Sequence, residues 1–368
     1  MHTCIIHIGM HKTGSTSIQH SLQGFADQHI TYADLGDSPN HSYAIYDLFT
    51  QGAERGFFDV QPDVSTIDAY EKLLLQAIAD TGTRDLLISG EQISSMPPAA
   101  LTRLRDFLAP HFQNIRVVSY VRPPASYLAS AFQQRLKKRS PNFEPMRLYR
   151  SFKDTFQKFD DIFGRTNVEL WKFDSTTLHN RCAVSDFCQR LGLEFPAERI
   201  RTENESMSRQ FVGLLYVYRK FAPELAASLQ IAEVEGLNRK LSGIWSDKFA
   251  LSHELTQAIH QQHAADIAWM EQRLGQSLEE TLRKEPKHAI SREEDLIQTP
   301  SETIEGLYSA LGKPHPQTTC QIHPVDVAEL FHELRTKPPG LQPSSWWASY
   351  RARLNSTTQR LRRLGRTS

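Results

Sequence analysis

The first two dozen residues hold the pattern that most limits how this chain can fold. Residues 4–8 (CIIHI) are short and mostly apolar, which suits a strand buried inside a parallel sheet. Gly9 and Gly14 then bracket a loop with the spacing G-x-x-x-x-G, and from Ser15 onward Ile18, Leu22 and Phe25 recur at helical intervals. A strand that turns through glycines into a helix brings unpaired backbone N–H groups and the positive end of the helix dipole to one point. That geometry holds an anion. The bland alternative is a strand–turn–helix whose glycines only make the turn, because short glycine patterns recur by chance.

Composition says that any such anion site is local. Lysine plus arginine equals aspartate plus glutamate at 42 each over 368 residues, so no global field draws in nucleic acid or acidic polymers. The length carries one large domain or two modest ones. No window of about 18 apolar residues reads as a membrane span. The N-terminus enters the first strand without the features of a signal peptide, so the expectation is a cytoplasmic protein. Cys4, Cys182, Cys188 and Cys320 form no C-x-x-C and read as reduced thiols. His260 and His263 lie three apart in a helical segment without H-E-x-x-H, and read as solvated surface rather than a zinc site.

Further strands are expected at 29–35, 85–89, 115–121 and 168–173. Helices are expected at 42–50, 67–79, 184–191, 207–221 and 252–274. Two more open at prolines, one at Pro97–Pro98 and one after Arg122–Pro123–Pro124. Strands alternating with helices predict an α/β fold. It is a P-loop-type three-layer arrangement with a central parallel sheet flanked by helices, plus a mainly helical C-terminal half. The expected division is one domain over 1–283 (helical from about 200), a linker or irregular extension over 284–343, and a basic amphipathic tail over 344–368. In that tail Trp347, Tyr350, Leu354, Leu361 and Leu364 are interleaved with arginines and no acid. Such a helix lies on an anionic membrane or a partner, or docks or frays as an ordinary terminus.

The loop departs from a Walker NTPase loop in one respect. Ser15 and Thr16 stand where G-x-x-x-x-G-K-[ST] has its lysine and hydroxyl, and Lys12 sits two residues before Gly14. The order K-T-G-[ST]-T after an apolar strand resembles the 5′-phosphosulfate loop of sulfotransferases that use PAPS (3′-phosphoadenosine 5′-phosphosulfate). A second stretch, Y-V-R-P-P-A-S-Y-L-A-S, sets Arg122 at a strand end and Ser130 eight residues on. It resembles the 3′-phosphate motif of the same family. The general layout is similar over about 1–275, and within the family the likeness is to bacterial carbohydrate-type members. Asn204-Glu205-Ser206, before a long helix, is similar to them too. No equivalent is found of the glycine-rich basic loop with which some members close the nucleotide site. Adenine contacts are therefore unassigned, with Arg201 and Arg209 as further candidate phosphate ligands.

The resemblance implies PAPS as co-substrate, PAP as product and no metal. Lys12 would stabilise the leaving oxygen, and Thr13, Gly14, Ser15 and Thr16 would hold the 5′-phosphate. Arg122 and Ser130 would hold the 3′-phosphate. Glu91, at the end of the 85–89 strand, is the leading candidate for the base, with His41 second and His11 in the loop itself. The implied acceptor is a hydroxyl, less readily an amine, of a glycan or glycolipid. Two other readings stay open. One is a P-loop nucleotide kinase or NTPase, and the other a nucleotide-binding scaffold held to a membrane or partner by its basic tail.

Overall fold

The computed structural model describes residues 2–10, 12–55, 62–138, 141–202, 206–280, 288–314 and 322–336. His11, Asn204, Glu205, Cys320 and the basic tail lie outside the described residues. Five strands form one sheet: β1 (Thr3–His7), β2 (Ile30–Tyr32), β3 (Asp85–Ser89), β4 (Asn114–Val121) and β5 (Val168–Lys172). All pairings are parallel and the spatial order is β2-β3-β1-β4-β5. From β1 the chain runs to β2 at one edge, returns to place β3 between β2 and β1, and then crosses to the other side for β4. The crevice beyond the carboxyl end of β1 is thus the topological switch point, where open α/β sheets bind ligands.

The helices, in chain order, are α1 (Ser15–Leu22), α2 (Ser42–Phe49), α3 (Val64–Thr81), α4 (Pro98–Leu108) and α5 (Pro124–Lys138). They continue with α6 (Phe152–Phe163), α7 (Ala183–Arg190), α8 (Arg209–Phe221), α9 (Pro223–Ala226) and α10 (Ile231–Leu241). The last five are α11 (His253–Gln262), α12 (Ala264–Leu274), α13 (Glu294–Ile297), α14 (Ser301–Leu311) and α15 (Pro324–Thr336). No helix among the described residues is long and apolar enough to cross a membrane.

Strand alternation creates the layers. Ile5, Leu87, Val118 and Tyr120 face one side, where they pack with Ile18 and Leu22 of α1 and with Val184 and Phe187 of α7. Cys4, Ile6, Leu86, Ile88, Val117 and Val121 face the other, against apolar positions of α2, α4 and α6. Both faces are covered, as a parallel sheet requires, and each fully buried Leu, Ile or Val contributes about 1.5–3 kcal/mol. In α6 the buried residues are Phe152, Phe156, Phe159 and Phe163, a helical stripe that the sequence analysis did not pick out.

Three expectations are corrected. The 252–274 helix is two helices, broken at His263, whose ring stacks on Tyr149 at 3.7 Å between centroids. With that stacking, and with His260 lining a cleft, the pair is not solvated surface. Nor are the described residues of 284–343 irregular. They carry α13, α14 and α15, and α15 packs on α8 through Phe331, whose ring meets Phe211 and Tyr218 at 5.9 and 5.2 Å. The charged surface of this stretch hides an apolar stripe, Val327, Phe331 and Leu334, at helical spacing.

Candidate functional site

Three chain segments leave the carboxyl edge of the sheet side by side and build one site. The loop after β1 is held in a shape that needs its glycines. Gly9 and Gly14 have φ of +33° and +83°, and a Cβ on each would come within 2.6 Å of the Ser15 Oγ and 2.7 Å of the Ala183 Cβ. Lys12 is also left-handed, at φ +71°, an uncommon state for a residue with a side chain. Thr13 is fully buried and its hydroxyl donates to the Met10 carbonyl at 2.6 Å, so that side chain ties the loop together rather than facing the cleft. Gly14 is the N-cap of α1, with no side-chain cap and no acidic residue in the first turn. The first amides of α1 are therefore presented at the positive end of a helix with no carboxylate of that turn upon them.

Lys12 and Arg122 meet across this loop. The Arg122 guanidinium donates to the Lys12 carbonyl, its Nε donates to the Ser126 hydroxyl at 3.1 Å, and its plane lies over the Phe173 ring at 5.6 Å. The Lys12 ammonium lies 3.4 Å from the Gln134 amide oxygen. Burial pushes the Lys12 pKa down to about 8, neighbouring Lys137 and Arg122 push the same way, and Glu91 opposes them. At the start of α5, the Glu280 carboxylate accepts the Ser126 backbone N–H at 3.0 Å and acts electrostatically on Arg122.

Glu91 begins a tight helical turn, Glu91–Ser95, directly after β3. It lies against the loop: a Cβ on Gly9 would sit 3.3 Å from the Glu91 Cγ. Lys12, Gly14, Ser15, Thr16, Glu91, Arg122 and Ser130 all line one cleft of about 2230 Å³. That volume exceeds the ~300–1,000 Å³ of a usual small-molecule site, which leaves room for more than one small molecule.

Other candidates are placed elsewhere. His41 is 1 % exposed and does not line the cleft. Its Nδ1 accepts the Ser89 backbone N–H at 3.1 Å, its ring packs on Tyr32, and burial pushes its pKa down to about 4. It is a core histidine under the sheet edge, not a base facing the cleft. Arg201 and Arg209 do not line the cleft either; Arg209 is buried and donates to the Asp295 carbonyl at 3.0 Å. Ser206 does line it, beside Gln133, whose side-chain oxygen accepts the Met207 N–H at 2.9 Å.

Sequence reasoning missed Ser126, Gln134, Phe173 and Glu280. Two of these had a signal. Ser126, Ser130, Gln134 and Lys137 recur at intervals of three or four along α5, a polar stripe beside its apolar face. His7 was missed as well. It is fully buried at the end of β1, bonded through Nδ1 to the Ser89 hydroxyl at 2.8 Å, and burial pushes its pKa down to about 4.

No protein-family model matches this chain, and no curated protein is similar to it. Among solved structures it is similar to a sulfotransferase from Alicyclobacillus acidocaldarius, at 14% identity and a TM-score of 0.42 over 75% of this chain and 97% of that one. It is also similar to a sulfotransferase domain from the curacin biosynthetic pathway, at 16% identity and a TM-score of 0.36 over 72% and 98%. A third is the sulfotransferase domain of the Synechococcus PCC 7002 olefin synthase, at 13% identity and a TM-score of 0.34 over 55% and 78%.

Proposed function

We propose that this chain is a sulfotransferase that moves a sulfuryl group from PAPS to a hydroxyl, less readily an amine, of a glycan or glycolipid. One observation carries the reading: Lys12, the amides of α1 and Arg122 open into the same cleft, with the Arg122 guanidinium bonded to the Lys12 carbonyl. A nucleotide with a phosphosulfate at one end and a phosphate at the other needs two such cationic positions within one molecule's reach. The glycan acceptor follows only from the resemblance to carbohydrate-type members.

The donor group in flight is positioned and charge-stabilised, much as in phosphoryl transfer. The acceptor oxygen attacks sulfur, the bond from sulfur to the bridging oxygen breaks, and the electron pair stays on that oxygen as part of PAP. Lys12 and the α1 amides meet the charge as it forms. Glu91, against the same loop, takes the acceptor proton. Arg122 and Ser130 hold the 3′-phosphate through charge-assisted hydrogen bonds.

A nucleotide kinase or NTPase would share the loop, but Ser15 stands where its lysine belongs. Calorimetry with PAP, ATP and GTP separates the readings. PAP alone is expected to bind tightly, and equal or tighter binding of ATP or GTP would end the sulfotransferase proposal. Glu91→Gln is expected to cut turnover by about 10²–10⁴-fold while PAP affinity stays close to normal. Near-normal turnover in that variant would remove Glu91 from the role.

A further inference from the structure

We infer that Ser89 is a positioning residue for the base: bonded to His7, Gln19 and His41, it fixes where Glu91 stands relative to Lys12. This rests on the function proposed above, which gives Glu91 its role.

Ser89 ends β3 two residues before Glu91, so at most about 7 Å of chain separates them. Each of its polar groups has a partner. Its N–H donates to the His41 Nδ1 at 3.1 Å, and its carbonyl accepts the His41 N–H at 2.9 Å. Its hydroxyl meets the His7 Nδ1 at 2.8 Å and accepts the Gln19 amide N–H at 3.2 Å. The ties continue past it. The Gly90 N–H donates to the His7 carbonyl at 3.0 Å, and the Gln92 N–H donates to the Ser42 hydroxyl at 3.1 Å. Glu91 is therefore bracketed by fixed backbone on both sides.

The partners come from the elements that set the site. His7 ends β1, the strand that leads into the phosphate loop, and Gln19 stands one turn beyond Ser15 on α1. Lys12 lies in the loop between those two elements. One cluster thus joins both stems of the lysine loop to the stem of the carboxylate.

Stability alone does not call for polar groups here. His7, Gln19, His41 and Ser89 are buried, and the His7 Nε2 has no hydrogen-bond partner among the described residues. Replacing both members of a buried polar pair by apolar groups of the same shape is often neutral or stabilising. What hydrogen bonds add over apolar contacts is direction. The phosphate loop has ties of its own that bypass the cluster, from the Thr13 hydroxyl to the Met10 carbonyl and from Arg122 to the Lys12 carbonyl. Breaking the cluster therefore displaces the base more than the donor site.

The test uses the full chain, PAPS and a mixture of maltohexaose and oligogalacturonate as acceptors. PAP release is followed in single turnover, and PAP affinity by calorimetry. Ser89→Ala and His7→Leu are each expected to slow release about 10²-fold and to change PAP affinity by a few-fold at most. His7→Asn, whose amide reaches the place of Nδ1, should recover most of the rate; His7→Gln, whose amide reaches the place of Nε2, should not. The deciding comparison is made on Glu91→Gln. With the base gone, adding Ser89→Ala should cost no further rate, because the serine acts only through that carboxylate. A further loss there overturns the inference, as does a folded Ser89→Ala chain at normal rate or a PAP affinity that falls in step with the rate. Normal turnover in Glu91→Gln alone removes the base assignment, and the inference with it. A wild-type chain that releases no PAP overturns the proposed function itself.

Discussion

Helices α1 and α6 meet the same problem at their N-termini and solve it in opposite ways. At α6 the chain supplies its own anion. Asp266, from α12, accepts the Phe152 and Lys153 amides at 2.7 and 2.9 Å, along with the Ser151 and Tyr149 hydroxyls at 2.9 and 2.7 Å. Ser151 adds its own cap to the Asp154 amide. At α1 the cap is Gly14, which has no side chain to offer. Helix physics is identical in the two places: first-turn amides need partners, and the dipole favours negative charge. Where the fold provides the partner, the helix end stabilises the protein. Where it withholds one, as at α1, the end has no side-chain cap, and it is there that the proposed donor would bind. Helix α5 stands between these cases, with Arg122 beside it and Glu280 on its Ser126 amide.

The largest effect that tests this contrast is at Lys12. Lys12→Ala is expected to lower sulfuryl transfer by about 10²–10³-fold, with a much smaller loss of PAP affinity, measured by single-turnover kinetics and calorimetry. If turnover survived, the amides of α1 alone would suffice and the cation would be incidental. Next comes the filled end. Asp266→Ala leaves several donors without their acceptor and is expected to cost about 2–3 kcal/mol in denaturant unfolding. PAP affinity of the folded variant should not change; a selective loss of PAP binding would show that the α6 end serves the site and not the fold.

A pH profile sharpens the same comparison. The free Lys12 ammonium, at about 8 instead of 10.5, loses its proton as pH rises through 8. Only the charged form stabilises the leaving oxygen, so kcat/KM is expected to fall above pH 8, by about tenfold per unit once well past it. Lys12→Arg keeps its charge throughout and should abolish that alkaline limb, whatever its absolute rate. A limb that persists in the arginine variant belongs to another group. The smallest effect concerns the intermediate case. Glu280→Gln removes a negative charge from beside Arg122 and should tighten PAP binding a few-fold. Weaker binding would make Glu280 a ligand of the nucleotide and not its competitor.

What the sequence revealed was local. The strand, the glycine-bounded turn and the helix after it are contiguous, and β3 runs over the expected 85–89. Arg122 and Lys12 were legible because each follows a strand of the same parallel sheet, so topology brings them to one edge. Contacts across long separations were not legible. Nothing near Ser126 announces that Glu280, 154 residues away, reaches its amide. His41 was misplaced for a related reason: whether a loop histidine faces solvent or the core depends on Tyr32 and Ser89, which pack around it. The break at His263 likewise answers to Tyr149, and the residues around it continue a helical pattern without interruption. The helices beyond 288 were hidden by charge, although Ile304, Leu307, Val327 and Phe331 carry the apolar spacing.

The bond from the Arg122 guanidinium to the Lys12 carbonyl has a consequence for anyone designing an inhibitor. The group proposed to grip one terminus of the donor also props the backbone that carries the cation proposed for the other terminus. Fragments that mimic a single terminus will therefore not report independent affinities. Linking two such fragments should give cooperativity beyond what tethering alone supplies, because the first to arrive sets the posture of the peptide that receives the second.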